Sequence, residues 1–190
     1  MADSNYGIGW LDGVGPSISQ IDLASGTTKA ITCESMNNPV DVKMVDNRMF
    51  ILDSGTYDEK GNQLRAGVYE LVNDEVVKIA DATEMAVCGS KIFCFYAPFT
   101  EGHAIPTYKV YDTKTNTLAD FCDGTDIDYP CKISVHPTKR HVYITSYRMA
   151  DSGYPDYNAP GYCVIYDETG TKLGQFDCGV CPGYAVPTSL

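Results

Sequence analysis

KISVHPTKRHVYITS, residues 132–146, and GYCVIYDETGTKLGQFDCG, residues 161–179, are separated by one long insert. Within them KISV, HVYITS, YCVIYD and KLGQFD are short runs rich in Val, Ile, Tyr and Thr that partly alternate, which is strand chemistry. His136-Pro137-Thr138-Lys139 makes a tight turn after the first run. Asp167-Glu168-Thr169-Gly170 makes another after the third, with Gly170 free to take a positive φ. The stretch therefore predicts four antiparallel strands, A to D, with short A–B and C–D turns and a long B–C connection.

The unit recurs upstream, and recurrence at a fixed period sets an architecture. One copy places A at Met85 to Cys88, B at Lys91 to Tyr96, C at Thr107 to Tyr111 and D at Thr117 to Cys122. An earlier copy places A at Val40 to Val45, B at Arg48 to Asp53, C at Gly67 to Leu71 and D at Glu75 to Ala80. At the N-terminus Tyr6 to Trp10, Ser17 to Leu23 and Thr27 to Thr32 fit B, C and D, with no A strand before them. At the C-terminus Gly183 to Pro187 fits a surplus A strand. A sheet repeat that borrows a strand from the other terminus closes a β-propeller and removes its free edges. The period, roughly 45 residues, lies in the propeller range. The expectation is a single all-β, β-propeller-like domain over 1–190. Its four repeats are 1–33 with 183–190, then 40–81, 85–122 and 132–178.

A formal net charge of −11 argues against nucleic acid, whose phosphates would be repelled. No apolar run is long enough to span a membrane as a helix. The start MADSNYGIG has neither a charged leader segment nor an apolar one. The chain reads as an extracellular or cell-surface domain whose leader is not in this sequence, or as a cytoplasmic one if Met1 is native. The even count of eight cysteines suggests disulfides, with Cys122–Cys131 and Cys178–Cys181 each able to close a D–A connection; the alternative is eight reduced thiols. Cys178-Gly-Val-Cys181 has CxxC spacing but lacks both a helix and a second CxxC, so a redox or metal role is not assigned to it.

KRHVYITS…GYCVIYDETGTKLGQFDCGVCPGYAV resembles the YVTN-type propeller repeats. It is most similar to the YncE-like (DUF5074) proteins of gut Bacteroidetes, whose last repeat ends in a similar F-D-x-G-x-x-P-G. The resemblance implies a surface protein, typically a lipoprotein of about seven blades. Some members bind corrinoids as partners of an outer-membrane transporter. Four repeats here imply a compact four-bladed ring, part of a larger ring, or half of a ring shared by two chains, hence a monomer or a homodimer.

Long loops on a rigid scaffold are where binding residues sit. The B–C connections carry Tyr57, Arg65, Phe99, His103, Tyr147, Arg148, Tyr154 and Tyr157, residue types that offer stacking faces and hydrogen bonds. His136 and His141 flank a turn on the opposite, short-loop face and are expected in solvent. Asp123, Asp126 and Asp128 form a weak Ca²⁺ candidate, with Glu34, Asn37 and Asn38 in the matching connection one repeat earlier. There is no nucleophile elbow, HExxH or phosphate loop. The reading is a non-enzymatic propeller without cofactor, binding a small molecule through the B–C loops; the resemblance implies a corrinoid. One alternative is a protein-interaction platform on the same face. The other is a metal-dependent lactonase using Glu34, Asn38, Glu84 and Asp128.

Overall fold

The computed structural model describes residues 2–3, 16–32, 35–102 and 104–186. Every regular element among them is a strand. The chain divides into two compact units, Met1–Thr83 with Pro98–Ala104 and Glu84–Ala97 with Ile105–Leu190.

The first unit opens with β1 (Ala2–Asp3), β2 (Ser17–Ile21) and β3 (Thr28–Ile31), an antiparallel sheet in that order. Then follow β4 (Pro39–Val45), β5 (Arg48–Asp53), a two-stranded hairpin of β6 (Thr56–Tyr57) and β7 (Gln63–Leu64), β8 (Gly67–Val72) and β9 (Glu75–Asp81). The sheet order is β4-β5-β8-β9, so the hairpin is an insert between its second and third strands. β5 reads RMFILD and is buried along most of its length, as an inner strand covered on both faces must be. Ile18, Ile31, Met36 and Ile51 form one core cluster of this unit. Two turns place consecutive polar residues at positive φ, Asp46-Asn47 and Asn73-Asp74. That backbone follows the right-handed strand twist, and Asn and Asp tolerate it.

The second unit holds β10 (Glu84–Cys88), β11 (Lys91–Tyr96), β12 (Thr107–Asp112) and β13 (Thr117–Asp120) in one four-stranded meander. A second meander holds β14 (Tyr129–Val135), β15 (Val142–Tyr147), β16 (Pro160–Tyr166) and β17 (Lys172–Val180). Phe93, Phe95, Tyr108 and Phe121 from the first meander share one core with Ile133, Ile144, Val164 and Tyr166 from the second. Phe121 meets Phe93 edge-on at 5.1 Å and Tyr166 at 5.8 Å. At Gly170, φ is +88°, and a Cβ would fall 1.7 Å from the Phe121 carbonyl oxygen. Only glycine fits there.

These three four-stranded sheets reproduce the predicted A–D units strand for strand. The terminal sheet differs. Its third strand is Ala2–Asp3; Tyr6 to Trp10, read as that strand, lies outside the described residues. Residues 183–186, read as the closing A strand, join no sheet, and Pro187 lies outside the described residues. Their polar groups go to side chains instead. Ser134 Oγ donates to the Ala185 carbonyl at 2.6 Å, and the Tyr184 hydroxyl bonds Glu84 at 3.1 Å. No closed sheet forms among the described residues; the five sheets are separate.

One further expectation is corrected. His136 is buried, because its Nδ1 accepts the backbone amides of Thr138 and Lys139, both at 3.2 Å, and so closes its own turn. Of the two alternatives for the cysteines, the structure has the reduced one at the seven described positions, Cys122, Cys131, Cys178 and Cys181 among them; Cys33 lies outside the described residues.

Candidate functional site

The predicted loop residues fall into two groups, one in each unit. In the first unit Tyr57 sits on β6, 47% exposed. Asp58 builds the hairpin turn by accepting the Lys60 and Asn62 amides at 2.9 and 2.8 Å. Across the hairpin, Gln63 docks the segment that carries Phe99. The Gln63 amide donates to the Phe99 carbonyl at 2.7 Å, and its Oε1 accepts the Phe99 amide at 3.2 Å. Phe99 is left 58% exposed. Arg65 takes φ +63° and is exposed, its carbonyl held by the Tyr69 hydroxyl at 2.8 Å. His103 lies outside the described residues.

The group in the second unit is larger. Tyr147, the last residue of β15, meets the Tyr157 ring edge-on at 4.9 Å and the Tyr129 ring at 6.3 Å. Burial pushes the Tyr147 hydroxyl up to about 12, with the Cys131 and Cys181 thiols adding to it. Arg148 lies over the Tyr162 ring at 5.0 Å and bonds Asp177 at 2.6 Å. That exposed ion pair is weak in itself, but together with the ring contact it orients the guanidinium. The rest of the loop is fastened to itself. Ala150 N bonds Tyr154 O at 2.8 Å, Asp156 N bonds Arg148 O at 2.7 Å, and Asp156 Oδ1 accepts the Asn158 and Ala159 amides at 2.9 and 3.1 Å. Tyr154 and Tyr157 project from it, 60% and 53% exposed. Sequence reasoning missed Tyr129, Tyr162 and Asp177 as the support of this loop. They belong to neighbouring strands, and only the register between β14, β15, β16 and β17 brings them under it.

The clefts lie elsewhere. One of about 520 Å³ in the second unit is lined by Tyr143, Thr145, Phe176, Cys178, Tyr184 and neighbouring residues; another of about 500 Å³ is lined by Tyr108 and Phe121 among others. A third, in the first unit, surrounds the exposed turn at Leu23. None of the described loop residues among those predicted lines any of these three.

The carboxylates do not converge. Asp123 Oδ1 accepts the Thr125 amide and hydroxyl, both at 3.0 Å, while Asp126 bonds Lys172 Nζ at 2.6 Å. Glu84 is engaged by Lys132 and by Tyr184, and Glu34 lies outside the described residues. Among the described residues no group of three His, Cys, Asp or Glu is arranged to hold a metal.

No family model and no curated protein matches the chain. Solved structures do. The chain is similar to TolB from Acinetobacter baumannii, at 15% identity and a TM-score of 0.55, over 91% of this chain and 40% of that one. It is also similar to a chain of a nidogen/laminin complex, at 15% identity and a TM-score of 0.52, over 86% of this chain and 60% of that one. At this identity the likeness concerns the fold alone, an all-β, propeller-like one. The chain spans about 40% and about 60% of the length of these two structures.

Proposed function

We propose that this chain is a non-enzymatic binding module that docks a basic polypeptide segment on the loop carrying Tyr154 and Tyr157. The observation that carries the reading is a pair of tyrosines more than half exposed on a loop braced by its own hydrogen bonds. Rigid exposed aromatics give contact area at little ordering cost, which is what a protein interface uses. A small ligand such as a corrinoid is instead held in a cleft that encloses most of its surface. Tyr57, Arg65, Phe99, Tyr147, Arg148, Tyr154 and Tyr157 line none of the three clefts described above, which favours a polypeptide over the small molecule. The net charge of −11, with Asp151 exposed on the same loop, selects a basic partner. A chain of similar fold was crystallised in a nidogen/laminin complex. The same use of the fold, a protein contact, is the reading adopted for this chain.

The test is selection from a random peptide display library, with cyanocobalamin offered separately as a small-molecule probe. The reading expects Lys- or Arg-rich peptides whose affinity falls as salt is raised. Saturable binding of cyanocobalamin with no peptide enriched would overturn it.

A further inference from the structure

After β17 the chain turns back at Cys181, where φ is +54°. Pro182 then packs over Gly161 on β16, its Cγ 2.6 Å from where a glycine Cβ would stand. Tyr184 and Ala185 arrive at β14. The Tyr184 ring lies under Lys132 Nζ at 5.2 Å, and the Ala185 carbonyl meets Ser134 Oγ. The segment thus crosses the sheet from β17 to β14 on the face that carries Lys132 and Ser134. Cys131 precedes Lys132 in a β-bulge between Pro130 and Lys132, so it has no partner in the ladder. Its sulfur lies 3.7 Å from the Tyr129 carbonyl, and the Cys181 sulfur lies 3.5 Å from the Tyr157 carbonyl. The rings of those two tyrosines flank Tyr147. Two thiols far apart in sequence are therefore gathered around one side chain.

We infer that Cys131 and Cys181 are a reversible disulfide site, oxidised by exchange with a low-molecular-weight disulfide, that fastens residues 182–186 across this face of the sheet. Cys181 is exposed and meets the oxidant first. Its thiolate attacks one sulfur of the small disulfide and expels one thiolate. The Cys131 thiolate then attacks the Cys181 sulfur of the mixed disulfide and expels the second. Two cysteine thiols lose two electrons, the small disulfide gains them, and both protons end on the two released thiols. Burial pushes the Cys131 thiol up to about 12, which disfavours its thiolate, so Cys131 reacts in the second step, where attack is intramolecular, and not in the first. The pairing differs from both sequence-based ones because those joined cysteines close in sequence, whereas the returning segment brings Cys181 to β14. It does not depend on what the tyrosine loop binds.

The full chain is incubated with oxidised glutathione, remaining thiols are alkylated, and the digest is read by mass spectrometry. A peptide pair joined through Cys131 and Cys181 is expected, with a melting temperature raised by roughly 5 °C or more and restored by reductant. The rise should persist in Cys178→Ala and vanish in Cys181→Ser. Recovery of Cys131 and Cys181 both alkylated, or joined to other cysteines such as Cys163 and Cys178, overturns the assignment.

Discussion

Asp53 and Ser146 occupy the same place in two repeats, the last buried position of the B strand facing a proline at the start of the A strand. Asp53 pairs with Pro39 and Ser146 with Pro130, and both ladders bulge at the next step. Each side chain accepts the amide that enters the A strand. Asp53 takes Asn38 at 2.8 Å, Asn37 at 2.7 Å and Gly55 at 2.7 Å, and Ser146 takes Tyr129 at 2.9 Å. Asp53 is 1% exposed, so those three donors have no ready replacement. Asp53→Ala should cost about 3 kcal/mol or more, and Asp53→Asn a substantial part of that, because an amide offers one accepting oxygen. Urea unfolding at neutral pH measures it; a loss under about 1 kcal/mol for the alanine variant would contradict the role. A proline stands at the start of both A strands, Pro39 and Pro130. The buried partner did not show, since a polar residue ending an apolar strand reads equally well as a turn.

At the scale of the element, the C–D turns show how local chemistry made the repeats legible. Asp112 ends a C strand, Asp22 and Asp167 directly follow one, and each accepts amides of its turn. The Ser25 amide holds Asp22 below its usual 3.8, the Lys114 amide does so for Asp112, and the Thr169 side chain leads for Asp167. A depressed carboxyl adds stability that is complete above its unfolded value and lost as pH falls through the lower folded one. The melting temperature should therefore be flat in this respect well above the usual carboxylate value and fall as pH drops below about 4. A combined Asp112→Asn and Asp167→Asn variant should show a shallower fall; an identical pH profile would contradict the turn assignment. Side chains packed between sheets act over a longer range. Phe121 follows β13 and wedges between Phe93 and Tyr166, so Phe121→Ala should destabilise the chain by about 3–5 kcal/mol. Thermal or denaturant unfolding reads that directly, and a cost below about 1 kcal/mol would mean the gap collapses.

Over the whole molecule, strands and short turns could be read because their signals lie within a few residues. The A–D pattern of Lys132–Gly179 and of its two upstream copies is of this kind. The fate of residues 183–186 could not be read that way. GYAV has strand composition, but its carbonyl and hydroxyl groups are taken by Ser134 and Glu84, whose positions depend on the packing of β14 beside β10. The candidate site divides similarly. Tyr154 and Tyr157 were legible as exposed loop aromatics, while the residues that brace them come from four strands and needed the register. Isothermal titration of the strongest selected basic peptide against wild type and the Tyr154→Ala, Tyr157→Ala variant tests the central claim most directly. The account predicts an affinity loss of about 30-fold or more, about 2 kcal/mol, with the fold retained. Affinities within about two-fold of each other would contradict it and move the binding surface away from the tyrosine loop.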